Sequence, residues 1–166
     1  RLLDARIDWG GREDFRLSGR LQDVGWQPLG RAPGVAGIAG RFDADPIAAS
    51  LVLDARPLRV SAPGVLRAPL TPAVRGVVNA YALTPGWRIE AAGLQFRAPD
   101  YSFDIDGGIE LQGDGSKPLI DLRAEVHPGP VAAAKQFWVL DKMPPKAVAW
   151  LDEALVEGQL LGGRLT

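Results

Sequence analysis

Several residue types and patterns are absent or rare in this sequence. No cysteine occurs among the 166 residues, so disulfide bonds and thiolate metal sites are excluded. No run of about 18 apolar residues occurs either, so a membrane-spanning helix is not expected in this segment. An excess of either charge is also lacking, because 19 basic and 20 acidic side chains give a formal net charge of −1. A nucleic-acid partner, which usually requires a basic surface, is therefore not expected.

Glycine and proline, by contrast, are abundant. The chain has 20 glycines and 14 prolines, which suits many short strands joined by turns. Hydrophobic residues make up 46% of the chain and charged residues 23%, as in ordinary globular proteins. The length corresponds to one domain, or to one segment of a longer repetitive assembly.

Apolar and polar residues alternate through most of the chain before Pro128, which is the period of a strand with one apolar face. The clearest case is the stretch 101–111, where apolar residues occupy the odd positions and most polar residues the even ones. In the first strand the apolar side chains expected on one face are Leu3, Ala5, Ile7 and Trp9. The alternation predicts strands at about 2–9, 15–22, 34–43, 47–55, 74–83, 87–96, 101–111 and 120–126.

Two stretches interrupt this regular pattern. Residues 56–72 contain four prolines, which cannot donate to a strand ladder, so this stretch is expected to be an edge strand or a loop. Between Ile89 and Leu94 the apolar residues change from odd to even positions. A β-bulge near Ala92 and Gly93 would keep all of them on one face of the sheet.

The last quarter of the chain has the spacing of helices. A helical segment is predicted at about 130–157, with a short helix at 131–138 and a longer one that starts near Pro145. Gly158 is placed where a left-handed residue can end a helix, and a strand is expected from about 159. Trp138 and Trp150 are expected to be buried between helix and sheet.

About nine strands with one apolar face each would form a large antiparallel sheet, roughly 43 Å wide at about 4.8 Å per strand. The longer helix would be only about 16 Å long, so it cannot cover such a face. One solution is a sheet that folds on itself as a closed sandwich or barrel. The other is an open sheet whose apolar face is covered by a partner or by lipid.

Sequence motifs along the chain favour the open solution. The chain has Pro33-Gly34 followed by Gly40, Gly86-Trp87-Arg88-Ile89, and Met143-Pro144 ahead of a Trp-Leu-Asp-Glu-Ala-Leu helix at 150–155. A Gly-rich strand start at 158–163 follows that helix. In order and spacing these motifs resemble the YhdP branch of the AsmA-like proteins over most of the chain. The sequence also starts without Met and within a strand, so we expect an internal segment of a longer protein.

The resemblance implies a fold and a function. The implied fold is mainly β, a large twisted antiparallel sheet that forms an open groove, with a short helical segment near the C-terminus. The implied role is a non-enzymatic lipid conduit in the periplasm of a Gram-negative bacterium, anchored to the inner membrane through parts outside residues 1–166. Phospholipid acyl chains and envelope proteins are the implied partners. The residues expected to line the groove are Leu51, Leu53, Tyr101, Phe103, Ile105, Ile109, Leu111, Ile120, Leu122 and Val126.

Two other classes of function remain open at this stage. One is a structural or scaffolding β-sandwich whose closed core carries no lipid and whose surface binds protein partners. The other is a hydrolase whose site lies outside this segment. Extraction of purified protein with organic solvent would discriminate the conduit from the scaffold, because only the conduit should release phospholipid.

Residues suited to catalysis or metal binding are few. His127 is the single histidine, and its place on a polar strand face predicts a solvent-facing residue rather than a ligand or base. Asp104 and Asp106 resemble part of a calcium loop, but strand alternation already accounts for both. Asp152 and Glu153 are predicted on the solvated side of a helix. Arginines on polar strand faces are interpreted as solvated, with head-group contact at a groove rim as the alternative. No cofactor is predicted.

Overall fold

The computed structural model describes residues 1–11, 14–30 and 32–166. Within these residues ten strands form one antiparallel sheet and two short strands form a second. The strands are β1 (Leu2–Gly11), β2 (Asp14–Trp26), β3 (Gly34–Ala44), β4 (Ala48–Ala55), β5 (Arg59–Ser61), β6 (Ala73–Leu83), β7 (Gly86–Arg97), β8 (Ser102–Gln112), β9 (Leu119–Val126), β10 (Gly129–Pro130), β11 (Gln159–Leu160) and β12 (Gly163–Leu165).

The large sheet is open. Its strand order is β1-β2-β3-β4-β6-β7-β8-β9-β12, so β1 and β12 are its two edges, and β5 pairs with β3 beside this path. Most neighbours in the sheet are also neighbours in sequence, because hairpin turns connect them. This architecture confirms the predicted class: mainly β, one large antiparallel sheet with a short helix near the C-terminus. The closed-core alternative is not the fold that the chain adopts.

Local sequence explains the turns and the bulge. Asp45 stabilises the turn between β3 and β4, because its Oδ1 accepts hydrogen bonds from the backbone N–H groups of Ile47 (2.9 Å) and Ala48 (2.8 Å). The predicted bulge in β7 is confirmed, since the register with β8 shifts between Ala91 and Leu94. Gly93, at φ +56°, donates its backbone N–H to Asp106 Oδ1 at 2.6 Å.

One detail of the strand predictions is wrong, and a second is only partly right. In β1 the register shifts between Leu3 and Arg6, next to Asp4 at φ +50°. Leu3 pairs with Arg20 and therefore lies on the polar face, away from Ile7. At the C-terminal end, the strand expected from about residue 159 is split: β11 pairs with β10, and only β12 joins the large sheet beside β9.

The buried core lies at one end of the sheet. Its members are contributed by β3, β4 and β6 and by Leu58 in the proline-rich stretch. That stretch forms the short strand β5 and an isolated bridge between Val60 and Leu70, as an edge strand or loop should. The buried cluster consists of Ile38, Leu53, Ala55, Leu58 and Val74.

The helical segment covers the same end of the sheet. A 3-10 helix (Val131–Phe137) and an α-helix, α1 (Pro145–Ala154), form it, close to the predicted positions. Leu140 donates its backbone N–H to the Val65 carbonyl (2.8 Å), so this segment is joined to the proline-rich stretch.

The expected role of the two tryptophans is only partly right. Trp138 is half-buried, and its Nε1 donates to Asp152 Oδ1 on α1 at 3.2 Å. Trp150 is 65% exposed, so the prediction that it anchors the helix in the core is wrong. The reason is geometric: α1 turns its half-buried face, with Val148 and Leu151, toward the protein and leaves Trp150 on the opposite side.

Candidate functional site

One face of the large sheet is apolar across almost its whole width, and we call it the apolar floor. Residues directly opposite one another in antiparallel strands point to the same face, so the register connects this surface from strand to strand. Its longest row crosses eight strands with only alanine, leucine and isoleucine. That row is Ile7, Leu17, Ala44, Ala49, Ala80, Ile89, Ile109 and Ile120.

Further rows of the floor lie beside this one, at successive steps of two residues along each strand. They combine large apolar side chains with alanine and glycine. The second row is Gly19, Phe42, Leu51, Val78, Ala91, Gly107 and Leu122. The row at the covered end is Ala55, Val74, Phe96, Phe103 and Val126.

The structure places the predicted groove residues on this floor. Leu51 is opposite both Phe42 and Val78, and Leu53 is opposite Gly40 and Gly76. In β8 and β9 the cross-strand pairs are Phe103 with Val126, Ile105 with Ala124, Gly107 with Leu122, and Ile109 with Ile120. Leu111 pairs with Trp87, and Tyr101 immediately precedes β8. Whether these residues bind lipid remains a prediction.

Burial changes steeply along the floor. At the end covered by the proline-rich stretch, Val74 and Ala55 are fully buried. At the opposite end, where the β3–β4, β6–β7 and β8–β9 hairpin turns lie, Ile120 is 65% exposed and Ile7 is comparably open. The floor therefore has a closed end under the loop and helical segment and an open end at the hairpin turns.

Aromatic stacking defines the closed end. Phe103 stacks on Phe96 of the neighbouring strand with ring centroids 4.6 Å apart. Phe137 of the 3-10 helix meets Tyr101 and Phe103 edge-on, at centroid distances of 4.9 and 5.9 Å. The helical segment thus contacts the sheet through Phe137, an aromatic contact worth about 0.5–1.5 kcal/mol beyond its buried area.

A shallow cavity lies midway along the floor. Its volume is about 310 Å³, and apolar side chains of four strands, β2, β3, β4 and β6, form nearly all of its lining. Carbon atoms of an acyl chain that entered it would leave water at about 0.8 kcal/mol per CH2. The principal lining residues are Leu21, Phe42, Leu51, Val78 and Ala80.

The opposite face of the sheet is polar and carries cross-strand ion pairs. Asp104 lies between Arg97 (Nη1–Oδ1, 2.5 Å) and His127 (Nε2–Oδ2, 3.2 Å). The Arg97 guanidinium, and then His127, hold the pKa of Asp104 below its usual range against the opposing effect of burial. His127 does lie on the polar face, but it is half-buried and paired rather than simply solvent-facing.

The other carboxylates considered for metal binding or catalysis also have hydrogen-bond or ion-pair partners within the protein. Asp106 accepts the Gly93 N–H, which leaves the resemblance to a calcium loop without support. Asp152 pairs with Arg67 (2.6 Å), and this pairing is the main cause of its lowered pKa. In the described ranges 1–11, 14–30 and 32–166, no group of three or more His, Asp or Glu residues could hold a metal ion.

Several residues of the apolar floor were not predicted from the sequence to line the groove. Ile7, Leu17, Phe42, Val78 and Ile89 belong to the same rows as the predicted set. Their strand alternation was visible in the sequence, but joining them to one surface required the strand order. Phe137 was missed because the 3-10 helix has only seven residues, too few for their spacing to mark which side chain meets the sheet.

Comparison with known proteins gives one finding on the whole chain. A family model described as "YhdP protein" matches residues 1–166. No curated protein and no solved structure matched the chain. Among the described residues, no helix combines the length and the apolar character needed to cross a membrane.

Proposed function

The chain belongs to the YhdP family, an AsmA-like family related to lipid transport in the bacterial envelope, and from this membership we propose that it is one segment of a lipid conduit. In this proposal phospholipid acyl chains lie on the apolar floor and move from strand to strand across the sheet. The conduit operates in the periplasm, between the inner and outer membranes. Its membrane anchor is supplied by parts of the protein outside residues 1–166.

The observation that carries the proposal is the eight-strand row from Ile7 to Ile120. It presents only aliphatic side chains and remains open to solvent at the hairpin end. Soluble monomers rarely leave so large an apolar surface uncovered, which favours a bound apolar partner. Lipid suits the surface better than a folded protein does, because a floor without polar anchors gives little specificity and permits sliding.

The polar face supports the same arrangement. Its ion pairs, such as Arg75 with Asp54 at 3.0 Å, occupy the side of the sheet away from the floor. One face therefore interacts with water and the other with hydrocarbon, as an open conduit requires. No chemical step is needed, so we propose a non-enzymatic role with no cofactor.

The direct test is extraction of the purified chain with organic solvent, followed by mass spectrometry of the extract. The expected result is phospholipid in a reproducible ratio to protein. Leu122→Asp, which puts a charge on the floor, is expected to reduce that ratio. Arg123→Asp, one residue away on the opposite face of β9, serves as the matched control. Lipid-free protein, or equal loading in both variants, would contradict the proposal.

A further inference from the structure

The open end of the floor carries two tryptophans in equivalent positions. Trp9 lies two residues beyond Ile7 and Trp87 two residues before Ile89, and no register shift separates either pair. Because Ile7 and Ile89 belong to the same row, both indoles point to the floor face, one row nearer the hairpin turns. Each lies at the boundary between the apolar floor and the solvent beyond the turns.

Both indoles are accessible. Trp9 is 69% exposed and stacks on Phe15 with a centroid distance of 6.1 Å. Trp87 is 45% exposed and is flanked by Ala82 on one strand and Leu111 on the other. These two side chains thus present flat aromatic surfaces at the open end rather than filling a core.

Hydrogen bonding distinguishes Trp87 from two other tryptophans. Trp26 donates its Nε1 proton to the Pro33 carbonyl at 2.9 Å, and Trp138 donates to Asp152. In the part of the chain that the structure describes, the Trp87 indole N–H has no such acceptor. A ligand lying against Trp87 would therefore contact both an apolar ring and a free N–H donor. This combination suits the ester region of a phospholipid, where the acyl chains join the ester and phosphate oxygens.

The depth of the floor fits a lipid laid along the strands. From Leu111 at the open end to Ile105, β8 spans about 20 Å at about 3.4 Å per residue. The acyl region of one bilayer leaflet is about 15 Å deep, half of a hydrocarbon core of about 30 Å. An acyl chain of this depth that starts beside Trp87 and Leu111 would therefore end near Gly107, about two residues before Ile105, with its methyl end pointing toward the covered end.

We propose that Trp9 and Trp87 mark the head-group side of the conduit, so that the ester region of each lipid lies at the hairpin turns and its methyl ends point toward Phe137. This inference rests on the proposed function and deepens it by fixing the orientation of the lipid across the sheet. The hairpin side contacts glycerol and phosphate oxygens, and the helical side contacts chain ends only.

Two single-tryptophan reporters test this orientation. The first keeps Trp87 and replaces the other four tryptophans with Phe. The second also replaces Trp87 with Phe and carries Ile105→Trp, deep on the floor. If Ile105→Trp does not fold, Leu94→Trp on the neighbouring strand replaces it, since Leu94 is directly opposite Ile105. Each chain is loaded with phosphatidylglycerol brominated either near the ester linkage or near the methyl end, because bromine quenches indole fluorescence only at short range.

The expected result is an opposite order of quenching in the two reporters. Trp87 should lose more fluorescence with bromine near the ester, and the deep reporter more with bromine near the methyl end. Equal quenching at both depths, or the reverse order, would overturn the orientation while leaving lipid binding intact. Absence of quenching by either lipid in both reporters would overturn the conduit itself, and the orientation with it.

Discussion

Phe137 meets Tyr101 edge-on, with ring centroids 4.9 Å apart and ring planes at 82°. This contact joins the 3-10 helix to the edge of the apolar floor, and the neighbouring Phe103 ring extends it onto β8. The helical segment is therefore attached to the sheet by aromatic packing, and it closes one end of a surface that is otherwise open.

The first prediction concerns this attachment. Phe137→Ala should lower the free energy of unfolding by about 2–3 kcal/mol, less than the roughly 3–5 kcal/mol of a fully buried Phe because Phe137 is half-buried. Urea denaturation followed by circular dichroism measures the change. A loss below about 0.5 kcal/mol, within the range of ordinary surface changes, would mean that the segment is held by other contacts.

The second prediction reverses what the sequence suggested for Trp150. Because this side chain is 65% exposed, Trp150→Ala should change the free energy of unfolding by less than about 0.5 kcal/mol. The same denaturation experiment provides the value. A loss of several kcal/mol would show that Trp150 is buried in solution, contrary to the structure.

A third prediction uses charge to separate an open floor from a closed core. Ile105→Asp and Leu122→Asp place a carboxylate on half-buried floor positions from which it can reach water, so both variants should fold with reduced stability. Val74→Asp buries the same charge completely and should prevent folding. Thermal unfolding and retained lipid are measured together. If the two floor variants fold and still bind lipid as the parent does, acyl chains do not use this face.

The fourth prediction concerns pH. The pKa of Asp104 is depressed in the folded protein, chiefly by Arg97, relative to about 3.9 in an unfolded chain. Its ionised form therefore contributes stability above about pH 4, and this contribution is lost as the pH falls through the folded-state pKa. Asp104→Asn should be less stable than the parent at pH 7, and the difference should shrink below about pH 4. In an Arg97→Gln background the same substitution should show little pH-dependent difference; an unchanged difference there would assign it to another partner.

The fifth prediction addresses a floor position without a side chain. Gly107 has φ +121°, and a Cβ built there would lie 2.1 Å from the Asp121 carbonyl oxygen on β9. Gly107→Ala must strain the backbone or displace that strand, at a cost of at least about 1–3 kcal/mol. Gly163→Ala, with no atom near the added Cβ, is the control. Equal stability of both variants would show that β9 can shift freely.

Much of the fold could be predicted from the sequence, but only part of the candidate site could be. Alternation predicted the strands, and the change from odd to even positions around Gly93 predicted the bulge, because these are local consequences of chain geometry. The bulge beside Asp4 was missed, since a non-glycine residue at φ +50° leaves no compositional trace. The exposure of Trp150 was also missed, because periodicity marks an apolar stripe but not which tertiary surface meets it.

The strand order has a consequence for how this molecule loses its structure. Most strands contact only their two neighbours in the sheet, which are usually the preceding and the following strand in the sequence. The free energy of unfolding in such an arrangement is approximately the sum of the interactions between neighbouring strands, as it is between neighbouring repeats in repeat proteins, and does not depend on one central core. Hydrogen exchange should therefore be fastest in the exposed edge strand β1 and slowest in β4 and β6, which contribute Leu53, Ala55 and Val74 to the buried cluster. Unfolding would then start at an edge strand, and the strands that remain folded would still form a narrower sheet with a continuous apolar floor.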